Sequence, residues 1–177
     1  MFVMSKSDPE SVFVAAVEKD FSFLVAKLGF ERCGLLVPER AEPREAERRV
    51  RYRSPANTVD LVLSMTRGLG LDVARRAPSA DPADCRSVAS PFVDFERFLL
   101  ARHGAELEPP LPGMKPHRVF MTMYSQQPVK YTRVVQPKLG QAVEVMAGRF
   151  KRYGPELLSA DLELVWRETR GISSQLK

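Results

Sequence analysis

Two histidines, two cysteines and scattered carboxylates are the residues with which this chain would do chemistry, and their spacing assembles no local site. Zinc sites draw Cys and His ligands from closely spaced pairs. Here no Cys-x-x-Cys, no His-Glu-x-x-His and no His pair one helical turn apart occurs. His103 stands beside Gly104, where an imidazolium would favour a helix C-terminus, and His117 sits among prolines, so both are read as surface or capping side chains. Nucleophilic catalysis would call for a Ser or Cys on a sharp turn such as Gly-x-Ser-x-Gly, which is absent. Cys33 is placed on a strand, buried and inert. Cys85, between Asp84 and Arg86, falls in a loop and is expected to be exposed. Two thiols so far apart read as reduced rather than as a disulfide framework.

Phosphate and carboxylate chemistry fare no better. Gly68-Leu69-Gly70 carries two glycines of a dinucleotide fingerprint, but Val73 takes the third position and the segment reads as a hairpin. Asp81 with Asp84, and Asp161 with Glu163, lie in a loop and at a helix start, where capping accounts for them. The expectation is a protein that is not an enzyme and takes neither metal nor cofactor. A site built from distant segments would leave no such local trace.

Charge is the more informative feature. Between Lys115 and Arg152 eight cations face the single carboxylate Glu144, and the remainder of the chain is slightly acidic. Such a local field attracts phosphates, membranes or an acidic protein surface alike. In Arg49, Arg51 and Arg53 the cations alternate with Val50 and Tyr52, as on a half-buried strand, and would project from one sheet face. The candidate partner-binding residues are therefore Arg49, Arg51, Arg53, Lys115, Arg118, Lys130, Arg133, Arg149, Lys151 and Arg152. A nucleic-acid-binding accessory protein is the alternative reading, with Phe120, Tyr124 and Tyr131 available for base stacking. Sheet-based RNA readers display aromatics on the exposed strand face, whereas Tyr52 falls opposite the arginines. With Glu45, Glu47 and Asp60 close by, a solvated, salt-bridged face is preferred for the arginine row.

The elements that must carry these residues are legible in their periodicities. Ser7 to Glu10 has capping-box spacing with Pro9 in the first turn, and Phe13, Val17, Phe21, Leu24 and Leu28 then share one helical face up to the stop at Gly29. Twofold alternation follows in Cys33, Leu35 and Val37, in Arg49 to Arg53, in Val59 to Met65 and in Leu69 to Val73, with turns at Ser54 to Asn57 and Arg67-Gly68. This predicts an antiparallel meander of about four strands with one wet face. Ser90-Pro91 is read as opening a middle helix with Phe92, Phe95 and Leu99 in its stripe, ending at Gly104. Residues 105–132 form a Pro-rich connection in which Val119 to Tyr124 would make one more strand. The last third, 133–177, is helical, with a seam of Leu139, Val143, Met146, Phe150, Tyr153 and Leu157, an interruption or kink expected at Gly154-Pro155, and a final helix capped by Ser159. The fold class is α+β: a meander packed with N-terminal, middle and C-terminal amphipathic helices. The 177 residues suit a single domain, with 1–104 as helix, meander and helix. No run approaches the ~18 apolar residues of a membrane span, and residues 1–8 precede no signal-peptide core, so a cytoplasmic protein without membrane contact is expected.

Phe21-Ser22-Phe23-Leu24-Val25, then Gly29-Phe30-Glu31 and Val50-Arg51-Tyr52-Arg53-Ser54-Pro55, resemble the opening of small uncharacterised bacterial proteins, some of them similar to immunity proteins of polymorphic toxin systems. The stretch from Tyr153 to Asp161 resembles the helix ending of the same group, while the section from Ala77 to Tyr131 has no counterpart. The resemblance implies a non-enzymatic cytosolic protein that acts by occluding a protein partner. A basic surface would then meet an acidic one.

Overall fold

The computed structural model describes residues 9–36, 47–64, 68–78, 81, 83–104 and 136–172. The first apolar stripe forms two helices, α1 (Pro9–Asp20) and α2 (Ser22–Leu28), rather than one. At the break Phe21 adopts φ −99° and ψ 9°, and the Ser22 hydroxyl donates to the Lys19 carbonyl at 3.0 Å. A serine that bonds back to the preceding turn competes with continued helix. Phe13, Val17, Phe21 and Leu24 keep their common face and are buried, while Leu28 in the last turn is exposed. Gly29 closes α2 at φ 69°, in the left-handed region where a side chain would be strained.

Four strands then run as a meander: β1 (Glu31–Leu36), β2 (Arg48–Arg53), β3 (Asn57–Ser64) and β4 (Gly68–Arg75). A fifth, unforeseen from the sequence, is the two-residue β5 (Val93–Asp94), which completes an antiparallel sheet in the order β1-β2-β3-β4-β5. Between β1 and β2 the register shifts at Arg32/Gly34, with Gly34 at φ 96°, so the edge strand is bulged at Cys33. Bulged edges resist pairing with other chains. The Val119 to Tyr124 segment and the Pro-rich connection lie outside the described residues.

One sheet face carries Val50, Tyr52, Val59, Leu61, Leu63, Leu71, Val73 and Val93, and all are buried against the helices. The opposite face, expected to be wet, is not. Thr58, Asp60, Val62, Asp72 and Ala74 on that side are each no more than 2% exposed. What covers them in part is the loop before β5, whose backbone runs over β2 and is clipped to β4 through Ala89 N–H to Arg75 O at 2.8 Å.

The middle helix, α3 (Phe95–His103), starts later than Ser90-Pro91 suggests, because Val93 and Asp94 first pair with β4. Asp94 is the N-cap, accepting from the amides of Glu96 and Arg97 at 2.9 and 3.2 Å. Phe95, Phe98 and Leu99 form its buried stripe, and Phe92 lies outside the helix altogether. The long helix α4 (Gln136–Ser159) buries Leu139, Val143, Met146, Phe150 and Leu157, as the seam requires, and also Ala142 and Ala147. It continues through Pro155 where an interruption was expected. A proline restricts its predecessor through that residue's Cβ, which Gly154 lacks, and Pro155 itself faces solvent. Asp161, not Ser159, caps the final helix α5 (Leu162–Thr169), while the Ser159 hydroxyl donates back to the Pro155 carbonyl at 2.9 Å. Phe150 is the hub of the helical layer, in edge contact with Phe95 at 5.0 Å and beside Phe21 at 6.4 Å.

Candidate functional site

Strand alternation places Arg49, Arg51 and Arg53 on the face of β2 that turns away from the helices, as the sequence implies. Register then decides what they meet. With Arg53 opposite Thr58 at the hairpin end, Arg51 falls opposite Asp60, Asp60 opposite Asp72, and Asp72 opposite Asp94. A row of one guanidinium and three carboxylates therefore crosses the sheet from β2 to β5.

The row is held by charge-assisted hydrogen bonds. Arg51 grips Asp60 with a fork, Nε to Oδ1 and Nη2 to Oδ2, both at 2.7 Å, and its remaining Nη1 donates to the carbonyls of Cys85 at 2.8 Å and Arg86 at 3.3 Å. Arg49 donates through Nη1 to Asp60 Oδ2 at 3.1 Å and lies 3.5 Å from Asp72 Oδ2, while its Nε and Nη2 bind Glu47. Two carboxylates directly opposite one another would repel. Here the Arg49 guanidinium bridges them. Burial works against the charge on Arg49, but the hydrogen bond and charge of Glu47, with those of Asp60, outweigh it and leave its pKa raised. The Phe92 ring lies beneath both guanidinium groups, 5.2 Å from that of Arg49 and 5.5 Å from that of Arg51. Arg53 completes the row, with Nε and Nη2 to Glu31 and Nη1 to the Asp84 carbonyl at 3.0 Å.

The cysteines are not two independent thiols. Cys33 at the β1 bulge and Cys85 in the covering loop form a disulfide, with 5.9 Å between their Cα atoms and a separation of 52 positions in sequence. Both are half-buried, which corrects the expectations of a buried Cys33 and of an exposed Cys85 alike. The bond ties the loop to the sheet edge beside the carbonyls that Arg51 and Arg53 hold.

The other candidate cations lie elsewhere. Arg149, Lys151 and Arg152 are on α4, across the sheet from the arginine row, so the structure does not bring the two groups together. Lys151 and Arg152 are exposed and rest over the rings of Phe23 and Tyr153, at 4.9 and 5.0 Å. Arg149 is half-buried. Lys115, Arg118, Lys130 and Arg133, with His117, Phe120, Tyr124 and Tyr131, lie outside the described residues. His103 is half-buried, and its ring links α3 to α4, with Nε2 2.9 Å from Glu156 Oε2 and its centroid 4.5 Å from that of Tyr153.

Besides the disulfide and β5, sequence reasoning missed the alignment of the aspartates, the placement of Phe92 and the role of Arg75. Arg75 Nη1 donates to Asn57 Oδ1 at 2.5 Å and to the Leu158 carbonyl at 2.9 Å, and Nη2 donates to the Ala160 carbonyl. It thus satisfies carbonyls at the C-terminal end of α4 from the end of β4, where positive charge is favoured. The aspartate alignment was within reach of the sequence, since the hairpin turn fixes which residues face one another. Phe92 and Arg75 gave no signal, because their partners are remote in sequence.

Chemically, Asp60 and Asp72 are 0% and 2% exposed and engaged with guanidinium groups, which suits an ion-pair network between two layers rather than proton transfer to a ligand. Among the described residues no group of three or more His, Cys, Asp or Glu is arranged to hold a metal ion, and no helix is long and apolar enough to cross a membrane. No protein-family model, curated protein or solved structure matches the chain.

Proposed function

We propose that the chain is a non-enzymatic, cytoplasmic protein-binding module, of the immunity-like kind, which occludes an acidic protein partner with the outer face of α4. One observation carries this reading: the two groups of candidate cations differ in exposure. The arginine row on β2 is directed to Asp60, Asp72, Glu47, Glu31 and the loop carbonyls, whereas Lys151 and Arg152 stand at the surface of a helix whose other side is anchored in the core. Along α4, Val145, Arg149 and Arg152 follow at i, i+4 and i+7, so an exposed apolar residue lines up with the cations. Apolar and cationic groups together on a rigid helix suit a protein surface, where the apolar part is desolvated and the charges steer the encounter.

The test is co-purification and native mass spectrometry with the products of neighbouring genes, followed by binding kinetics of the Lys151→Glu/Arg152→Glu double variant. Charge reversal should slow association and weaken binding by about tenfold or more. No partner at micromolar concentration, or a partner indifferent to the reversal, would overturn the proposal. Generic DNA and RNA serve as the control arm: binding that collapses steeply with added salt would replace this reading with the nucleic-acid one.

A further inference from the structure

The loop over the arginine row is fastened at two places of different kinds. Its C-terminal end is joined to the end of β4 and the residue after it: Ala89 N–H to Arg75 O, the Arg75 amide to the Ser90 hydroxyl at 2.8 Å, and a bridge between Arg76 and Val88. Its N-terminal end is held to the sheet by the carbonyls of Asp84, Cys85 and Arg86 on Arg53 and Arg51, and by the Cys33–Cys85 bond. Cys33 lies in an edge strand at a bulge and Cys85 in a loop, and neither cysteine belongs to the buried cluster of the core. Both cysteines are half-buried rather than enclosed in the core, and exchange requires a thiolate to reach one of the two sulfurs.

We propose that Cys33–Cys85 is a redox-operated catch on this cover. A dithiol reductant attacks one sulfur, forms a mixed disulfide, and is released as its own cyclic disulfide; the protein gains two electrons and two protons and carries two thiols. Residues 83–87 then lose their covalent tie, and the guanidinium edges of Arg51 and Arg53 that face the loop carbonyls become accessible, while Val88 to Ser90 stay clipped to β4. The core is left intact, because β2, β3, β4 and the helices pack without using either cysteine. The switch is independent of which partner the protein binds.

Hydrogen exchange read by mass spectrometry distinguishes the outcomes, using the oxidised full-length protein, the same protein reduced with dithiothreitol, and the Cys85→Ser variant. The amides of residues 83–87 and of β1 should exchange about tenfold faster in the reduced protein and in the variant, with β3 and β4 unchanged. Reoxidation with oxidised glutathione should restore protection in the reduced wild type and not in Cys85→Ser. Equal exchange in the oxidised and reduced protein would show that the arginine contacts alone hold the loop and would overturn the proposal. Faster exchange spread through β3 and β4 would also overturn it, by making the bond a staple of the whole domain.

Discussion

At the scale of single residues, Asp60 decides the fate of the arginine row. It is fully buried, accepts both arms of the Arg51 fork and shares the Arg49 guanidinium with Asp72. Removing one member of such a network leaves its partner charged and desolvated, which costs more than the pair itself contributes. Asp60→Ala is therefore expected to lower unfolding stability by about 3–5 kcal/mol. The double variant Arg51→Met/Asp60→Leu, which removes both charges and keeps the volume, should lose much less. Urea denaturation of the two proteins checks this, and a double variant as unstable as Asp60→Ala would contradict the network's assignment. The solvated face expected from the alternation Arg-Val-Arg-Tyr-Arg turns out to be salt-bridged but covered, since alternation says which residues share a face and not what lies on top of it.

At the scale of elements, the contacts around α4 show how local rules are kept or overridden. Its seam was legible because a helix buried on one side must repeat its apolar residues every three or four positions. Of the interruption or kink expected at Gly154-Pro155, the interruption did not form, and Gly154 has a packing role of its own. A Cβ there would lie 2.8 Å from the ring of Phe150, which is fully buried against Phe21, at the junction of α1 and α2, and Phe95 of α3. Although alanine is the better helix former, Gly154→Ala should destabilise the protein by about 1–3 kcal/mol, as overpacking of a filled core does. Thermal unfolding would reveal it: a melting temperature at or above wild type would mean that the ring can shift. The opposite surprise occurs at the helix starts. Asp94 and Asp161 cap α3 and α5 where Ser90 and Ser159 were expected, because strand pairing of Val93 and Asp94 and back-bonding of Ser159 move each boundary by a few residues.

At the scale of the whole molecule, the sheet is a middle layer with helices on one side and the stapled loop on the other, and Tyr52 sits in the helical side of that sandwich. Burial raises its pKa above the ordinary value of 10.0, with Arg32 opposing and Glu18 adding to the shift. The neutral phenol is thus preferred in the folded state, and the unfolded chain releases its proton first as pH rises. This contribution is fully present below pH 10.0 and is lost as pH climbs through the higher folded value. Wild type should accordingly lose more stability than Tyr52→Phe between neutral pH and the alkaline range, measured by denaturant midpoints at each pH. Parallel profiles for the two proteins would contradict the assignment.

What the sequence determined by itself was the α+β class, the antiparallel order of the meander, the inward residues of α1 and α4, and the common face of Arg49, Arg51 and Arg53. Each of these follows from short-range periodicity, because helix and strand geometry set which neighbours share a side. What only the tertiary structure decided was the Cys33–Cys85 bond, the ring of Phe92 beneath two guanidinium groups, the grip of Arg75 on the end of α4, and the burial of the face expected to be wet. The reason is separation along the chain. Cys33 and Cys85 are 52 residues apart and Arg75 reaches Leu158 across 83, so no local pattern couples them, and only the packing of layers brings them within bonding distance.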